Sequence, residues 1–196
     1  RATPERLAAL AAHDLTDPAA SLARLLALPP FHVDLDGFLQ ARALTSAAEV
    51  AGDAVLLGQD PRIAILPDRL AALNAAMAEA LAAFHEANPD LQGIGREALR
   101  LSLQSRLPKP AFAALLQSQA EAGAVALDGG FVRLPGHAPR MSAEDEALYA
   151  RIAPELGGDA RFRPPRVRDL AAGLSHDERD IRRMMKLAAR LGRIYQ

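Results

Sequence analysis

Three times along this 196-residue chain a helical run stops at a glycine and a short β-prone stretch follows. The stretches are Ala51-Gly52-Asp53-Ala54-Val55-Leu56-Leu57, Ala122-Gly123-Ala124-Val125-Ala126-Leu127 and Leu191-Gly192-Arg193-Ile194-Tyr195. Their glycines are 71 and 69 residues apart. Such a period constrains the fold more than any composition does, because each repeat must carry a complete set of elements around a small core. Two of the stretches continue into a turn and a second β-prone run. In the first, Gln59-Asp60-Pro61 leads to Arg62-Ile63-Ala64-Ile65-Leu66-Pro67; in the second, Asp128-Gly129-Gly130 leads to Phe131-Val132-Arg133-Leu134-Pro135. Asp-Gly-Gly between alternating apolar residues signals a hairpin. The third stretch reaches Gln196 before any return strand.

Helical patterns precede each hairpin. Pro67-Asp68 opens a long amphipathic run with Leu70, Leu73, Met77, Leu81 and Phe84 at helical spacing, which Asn88-Pro89 stops. Residues 93–103 and 108–121 follow as second and third helices, the last ending at Gly123. In the third repeat, Ser142 fits a helix N-cap with acids in the first turn, and that helix runs to about Leu156. Residues 167–174 form the next helix, and Ser175 with Glu178 suggests a capping box for the last. In the first repeat, 18–28 and 35–43 read as helical and Ser46–Ala51 as a short third helix. Pro29-Pro30 and Pro164-Pro165 separate first and second helices.

Three helices and a two-stranded hairpin in about 70 residues is the plan of a winged-helix domain. The expected fold is mainly α with small antiparallel hairpins: a tandem, elongated array of winged helices over 1–66, 67–137 and 138–196, the third truncated in its wing. A lone hairpin is marginal, so each wing is expected to pack on its own helices, and neighbours to share interfaces. Ala and Leu dominate the apolar half of the chain and favour helix, which argues against a β-sandwich or barrel.

Several chemistries are excluded. Without Cys there are no disulfides, thiolate zinc sites or cysteine nucleophiles. No run of 18 apolar residues offers a membrane span. The chain opens Arg1-Ala2-Thr3 with neither Met nor a signal peptide, and reads as a piece of a longer cytoplasmic protein. Phosphate-loop, dinucleotide and zinc-protease motifs are absent. Gly93-Ile94-Gly95-Arg96 is too short for a dinucleotide loop and reads as a turn before a helix. The five His residues are scattered. His85 reads as a helix-end or interdomain polar contact, and His137, in Pro135-Gly136-His137-Ala138-Pro139, as a structural hydrogen-bonder in a joint. No catalytic or metal-ligating set is expected.

Charge is distributed unevenly. The net charge of −1 conceals ten basic and four acidic side chains within residues 161–196, and 13 basic against 20 acidic elsewhere. In the last helix Ile181, Met184, Met185, Ala188 and Leu191 form an apolar stripe, while Arg179, Arg182, Arg183, Lys186 and Arg190 form a second stripe facing elsewhere. In a winged helix this element commonly enters a nucleic-acid groove. Two readings fit it: phosphate contact with a nucleic acid, or a solvated face balanced by neighbouring acids. The corresponding helix of the second repeat carries only Lys109, Gln117, Gln119 and Glu121 as polar groups that could reach out.

Several stretches resemble a known family. Leu81-Ala82-Ala83-Phe84-His85-Glu86-Ala87-Asn88-Pro89 runs into Gly93-Ile94-Gly95-Arg96-Glu97-Ala98-Leu99-Arg100, and later come Phe131-Val132-Arg133-Leu134-Pro135-Gly136-His137-Ala138-Pro139, Pro164-Pro165-Arg166-Val167-Arg168-Asp169-Leu170-Ala171 and Ala188-Ala189-Arg190-Leu191-Gly192-Arg193. From about Leu66 onward the chain resembles the C-terminal winged-helix region of bacterial selenocysteine-specific translation elongation factors (SelB). The resemblance implies a GTPase body elsewhere that binds GTP, Mg and selenocysteinyl-tRNA, and a fourth winged helix that grips an mRNA hairpin beside a recoded UGA codon. It implies for this segment a monomeric spacer between the two, without catalysis or cofactor of its own. The third repeat would add contacts with mRNA or ribosomal RNA through Arg166, Arg168, Arg179, Arg182, Arg183, Lys186 and Arg190. A DNA-binding winged-helix regulator and a protein-interaction scaffold are the competing readings.

Overall fold

The computed structural model describes residues 3–157 and 163–194. It is mainly helical, with two small antiparallel sheets. Two compact units emerge: one from the chain up to Phe84 together with Gly93–Gly136, the other from His85–Gln92 together with the chain from His137.

The first unit opens with α1 (Pro4–His13) and α2 (Pro18–Leu26). Both begin with a side-chain oxygen that accepts from backbone N–H groups and a proline in the first turn, where its missing N–H is no loss. Thr3 accepts from Arg6 N at 3.3 Å, and Asp17 from Ala19 N and Ala20 N at 3.1 and 3.2 Å. Helix α1 is an element the sequence reading did not include. Then come β1 (His32–Asp34), α3 (Leu35–Ala41), β2 (Val55–Leu57) and β3 (Ile63–Ile65). Where a third helix is expected at Ser46–Ala51 there is a turn. The N–H groups of Val50 and Ala51 both return to the Ala47 carbonyl, and the buried Val50 anchors that turn to the core.

The sheet runs β1-β3-β2, with Val33 opposite Ala64 and Leu56 opposite Ala64 on the other side. The wing therefore has three strands, not the expected two. The extra strand pairs the free edge of β3, which a marginal hairpin would otherwise leave open.

The second repeat comprises α4 (Pro67–Ala87), β4 (Ile94–Gly95), α5 (Arg96–Ser102), α6 (Lys109–Glu121), β5 (Ala126–Asp128) and β6 (Phe131–Arg133). Its sheet repeats the order, β4-β6-β5. Gly93-Ile94-Gly95 is thus not merely a turn: Ile94 pairs with Val132 and Gly95 with Phe131. Gly129, at φ 55°, supplies the left-handed conformation that the β5–β6 turn needs.

Core packing in this unit centres on β3. Ile63 and Ile65 join Leu73, Met77 and Leu81 of α4, Leu99 of α5, and Phe112, Leu115 and Leu116 of α6. Ala64, pointing the other way, joins Leu22, Leu26, Leu35 and Phe38. All three β3 residues are buried. The first wing packs on its own helices with one face only; its other face belongs to the helices of the second repeat.

The second unit holds α7 (Ala143–Leu156), α8 (Val167–Leu174) and α9 (Glu178–Arg190). Its core is Met141, Leu148, Ile152, Leu170, Ile181, Met184, Leu187 and Ala188. Ser142 caps α7 as expected, its hydroxyl accepting from Asp145 N at 3.1 Å. The expected cap at Ser175 is not formed. Ser175 ends α8 in the left-handed conformation, φ 53°, so Asp177 takes the extended N-cap position and accepts from Arg179 N at 2.7 Å. After α9, Gly192 turns the chain and no strand forms over residues 191–194. Arg161, Tyr195 and Gln196, which entered the charge count and the third β-prone run, lie outside the described residues.

Candidate nucleic-acid interface

Helix α9 segregates its two faces. At about 100° per residue, Arg179, Arg182, Arg183, Lys186 and Arg190 fall within an arc of about 100°, opposite the buried Ile181, Met184 and Ala188. Leu187, outside the apolar stripe read from sequence, is fully buried, whereas Met185 and Leu191 lie at the margin. All five cations are exposed. With Asp177 and Glu178, four of them border an open depression on the helix surface: Arg179, Arg182, Arg183 and Lys186.

Their partners divide them. Arg183 donates to both oxygens of Asp145, at 2.5 and 3.2 Å. The Asp145 side chain is only 8% exposed, and its second oxygen also accepts from the Ser142 hydroxyl at 3.0 Å. Arg190 pairs with Asp90 at 3.6 Å, and Arg182 with Glu178, one turn earlier on its own helix, at 3.0 Å. Arg179 and Lys186 have no ion-pair partner among the described residues. Neither has Arg166, which occupies the N-cap position of α8. Arg168 pairs with its neighbour Asp169 at 3.4 Å. The stripe read from sequence is thus one face in space but three classes in electrostatics: held, lightly held and free.

The held members belong to the fold. Arg183 keeps the Asp145 carboxyl below the ordinary carboxylate range, outweighing the effect of its burial, and the Ser142 hydrogen bond adds to this. Arg183 in turn is held the more firmly protonated by Asp145, with Asp180 and Asp90 as further anionic neighbours. Sequence reading took Asp145 for an ordinary first-turn acid, because spacing cannot show that this carboxylate turns inward. It also missed Arg193, which makes a two-pronged bond to Glu146, 2.6 Å on each side, and stacks over Tyr149.

Two of the histidines stand together. His85 and His137 stack with ring centroids 3.6 Å apart and planes 10° apart. His137 donates from Nε2 to the Leu91 carbonyl at 2.7 Å. Among the described residues no three His, Asp or Glu side chains gather to hold a metal ion. No described helix is long and apolar enough to cross a membrane.

Comparison with known proteins assigns this architecture. A family model described as "Elongation factor SelB, winged helix" matches residues 78–134, which run from within α4 to the end of the second wing. A second, "Selenocysteine-specific elongation factor, winged helix domain", matches residues 141–196 and takes in α7, α8 and α9. This chain belongs to the SelB winged-helix family. The selenocysteine-specific elongation factor of Escherichia coli (strain K12) is 31% identical over 114 residues, 58% of this chain. That stretch spans only 18% of the relative's length. The basic stripe lies wholly within the second SelB winged-helix match.

Proposed function

We propose that this chain is the tandem winged-helix spacer of a cytoplasmic selenocysteine-specific elongation factor, and that α9 adds contacts to an RNA backbone. In this reading the winged helices carry the reach between a GTPase body that holds selenocysteinyl-tRNA and a separate reader of the mRNA hairpin. GTP, Mg and catalysis belong to that body; these residues bind without reacting. The family matches support the role in selenocysteine incorporation. The RNA contact is carried by one observation: Arg179 and Lys186 stand exposed on the outer face of α9 with no ion-pair partner among the described residues, and a stripe of exposed cations is the footprint of phosphate binding. Ribosomal RNA and mRNA present the same chemistry. Such contacts set affinity and orientation, not sequence choice.

The test is binding of the 196-residue chain across a salt series to a selenoprotein mRNA hairpin, a scrambled hairpin and duplex DNA. Weak, salt-steep binding, equal for both RNAs, is expected. Salt-resistant preference for the true hairpin would give sequence recognition to α9 and end the spacer reading. Tight, selective binding to duplex DNA would favour a transcription regulator. No binding at low salt would leave a protein-interaction scaffold.

A further inference from the structure

The first turn of α9 is acidic. Asp177 occupies the N-cap, Glu178 follows it, and Asp180 lies two residues beyond Glu178. Helix-turn-helix proteins bring the N-terminal end of this helix to the bases, and a helix N-terminus ordinarily attracts phosphate through its dipole and free N–H groups. Here three carboxylates stand where the phosphates would approach, and Asp177 already takes the Arg179 N–H. The tip of α9 is therefore repulsive to a nucleic acid. The cations lie along its flank instead. Arg179, Arg182 and Lys186 follow one another at three and four residues, or about 4.5 and 6 Å along the axis. Arg183, between them, is bound to Asp145 and has Asp180 and Asp90 nearby.

We infer that α9 lies side-on along a single RNA phosphate backbone, held by Arg179, Arg182 and Lys186, and that Glu178 restrains this contact by withholding Arg182. The inference rests on the RNA-contact reading above and adds its geometry and its control point. The Glu178–Arg182 pair is exposed, with 63% of the arginine side chain and 47% of the glutamate accessible. Exposed pairs of this kind are weak, so a phosphate can compete for the guanidinium, and each binding event must first break the pair. End-on docking would instead place Glu178 against the backbone itself.

Those geometries separate in the variants E178Q, R182A and E178Q/R182A, each tested in the 196-residue chain with an unstructured oligouridine across a salt series. Far-ultraviolet circular dichroism and thermal unfolding verify that α9 is intact. Side-on docking predicts that E178Q binds about threefold more tightly at low salt, and that R182A abolishes the gain. A gain that survives in E178Q/R182A means the carboxylate acts by direct repulsion at the helix tip, which overturns side-on docking. The absence of any gain overturns the restraint. If neither the unaltered chain nor E178Q binds RNA at low salt, the RNA-contact reading itself fails and takes this inference with it.

Discussion

The Asp145 carboxylate, turned inward at the start of α7, accepts two hydrogen bonds from the Arg183 guanidinium on the outer face of α9. The pair ties the first helix of the third repeat to the last. Because Arg183 lowers the Asp145 pKa in the folded state, the pair contributes stability wherever the carboxylate would be ionised in both states. That contribution is full above the unfolded value of about 3.9 and is lost as pH falls through the lower folded value. D145N should destabilise the second unit by about 1–2 kcal/mol at pH 7, and the difference from the unaltered protein should shrink below about pH 4. Urea unfolding at pH 7 and at pH 3 checks both statements. An unchanged difference at low pH would mean that Asp145 contributes by packing alone.

The divided stripe makes a second prediction. R179A and K186A should each lower the salt slope of RNA binding by about 1 and leave thermal stability alone, since neither has an ionic partner among the described residues. R183A should do the reverse: little change in slope, but a loss of stability from an unpaired, nearly buried Asp145. Salt-dependent binding and unfolding measured on the same three variants decide the matter. Equal slopes for R183A and R179A would return all five cations to one class.

Which parts of this could be read from sequence follows from the range of the interactions. The long helices were legible because Leu73, Met77 and Leu81 recur at helical spacing and proline and glycine mark the ends. Strands β1 and β4 were not, since neither lies in a β-prone run flanking a hairpin turn, and only their pairing with β3 and β6 makes them strands. Ser175 carried a capping signal, but the left-handed end of α8 claimed it first. The stripe on α9 was legible as a face because helical spacing fixes direction. Its division into held and free cations was not, because Asp145 and Asp90 come from distant segments.

The two methionine-region positions on the inner face of α9 separate spacing from burial. Leu187 is 3% exposed, whereas Met185 is only partly covered. Leu187→Ala should cost about 2–5 kcal/mol through the cavity it leaves. Met185→Ala should cost about 1 kcal/mol or less, as for a side chain that leaves no closed void. Comparable losses for the two in chemical denaturation would show that the helix is rotated from the orientation described.

Gly93 and Gly95 look equivalent in sequence yet do opposite work around β4. A Cβ on Gly93 would sit 2.5 Å from the Val132 carbonyl oxygen of β6, a backbone atom that cannot swing aside. A Cβ on Gly95 would meet nothing within 4 Å, and Gly95 is the N-cap of α5 with no side chain to accept a hydrogen bond there. Gly93→Ala should therefore push β4 off β6 and cost about 1–3 kcal/mol, the usual range for overpacking against fixed neighbours. Gly95→Ser should add a capping oxygen and stabilise the first unit by a few tenths of a kcal/mol. Thermal unfolding of the two variants reads the contrast directly. A tolerated alanine at Gly93 would mean that β4 is not held against β6, and that the second wing stands on two strands instead of three.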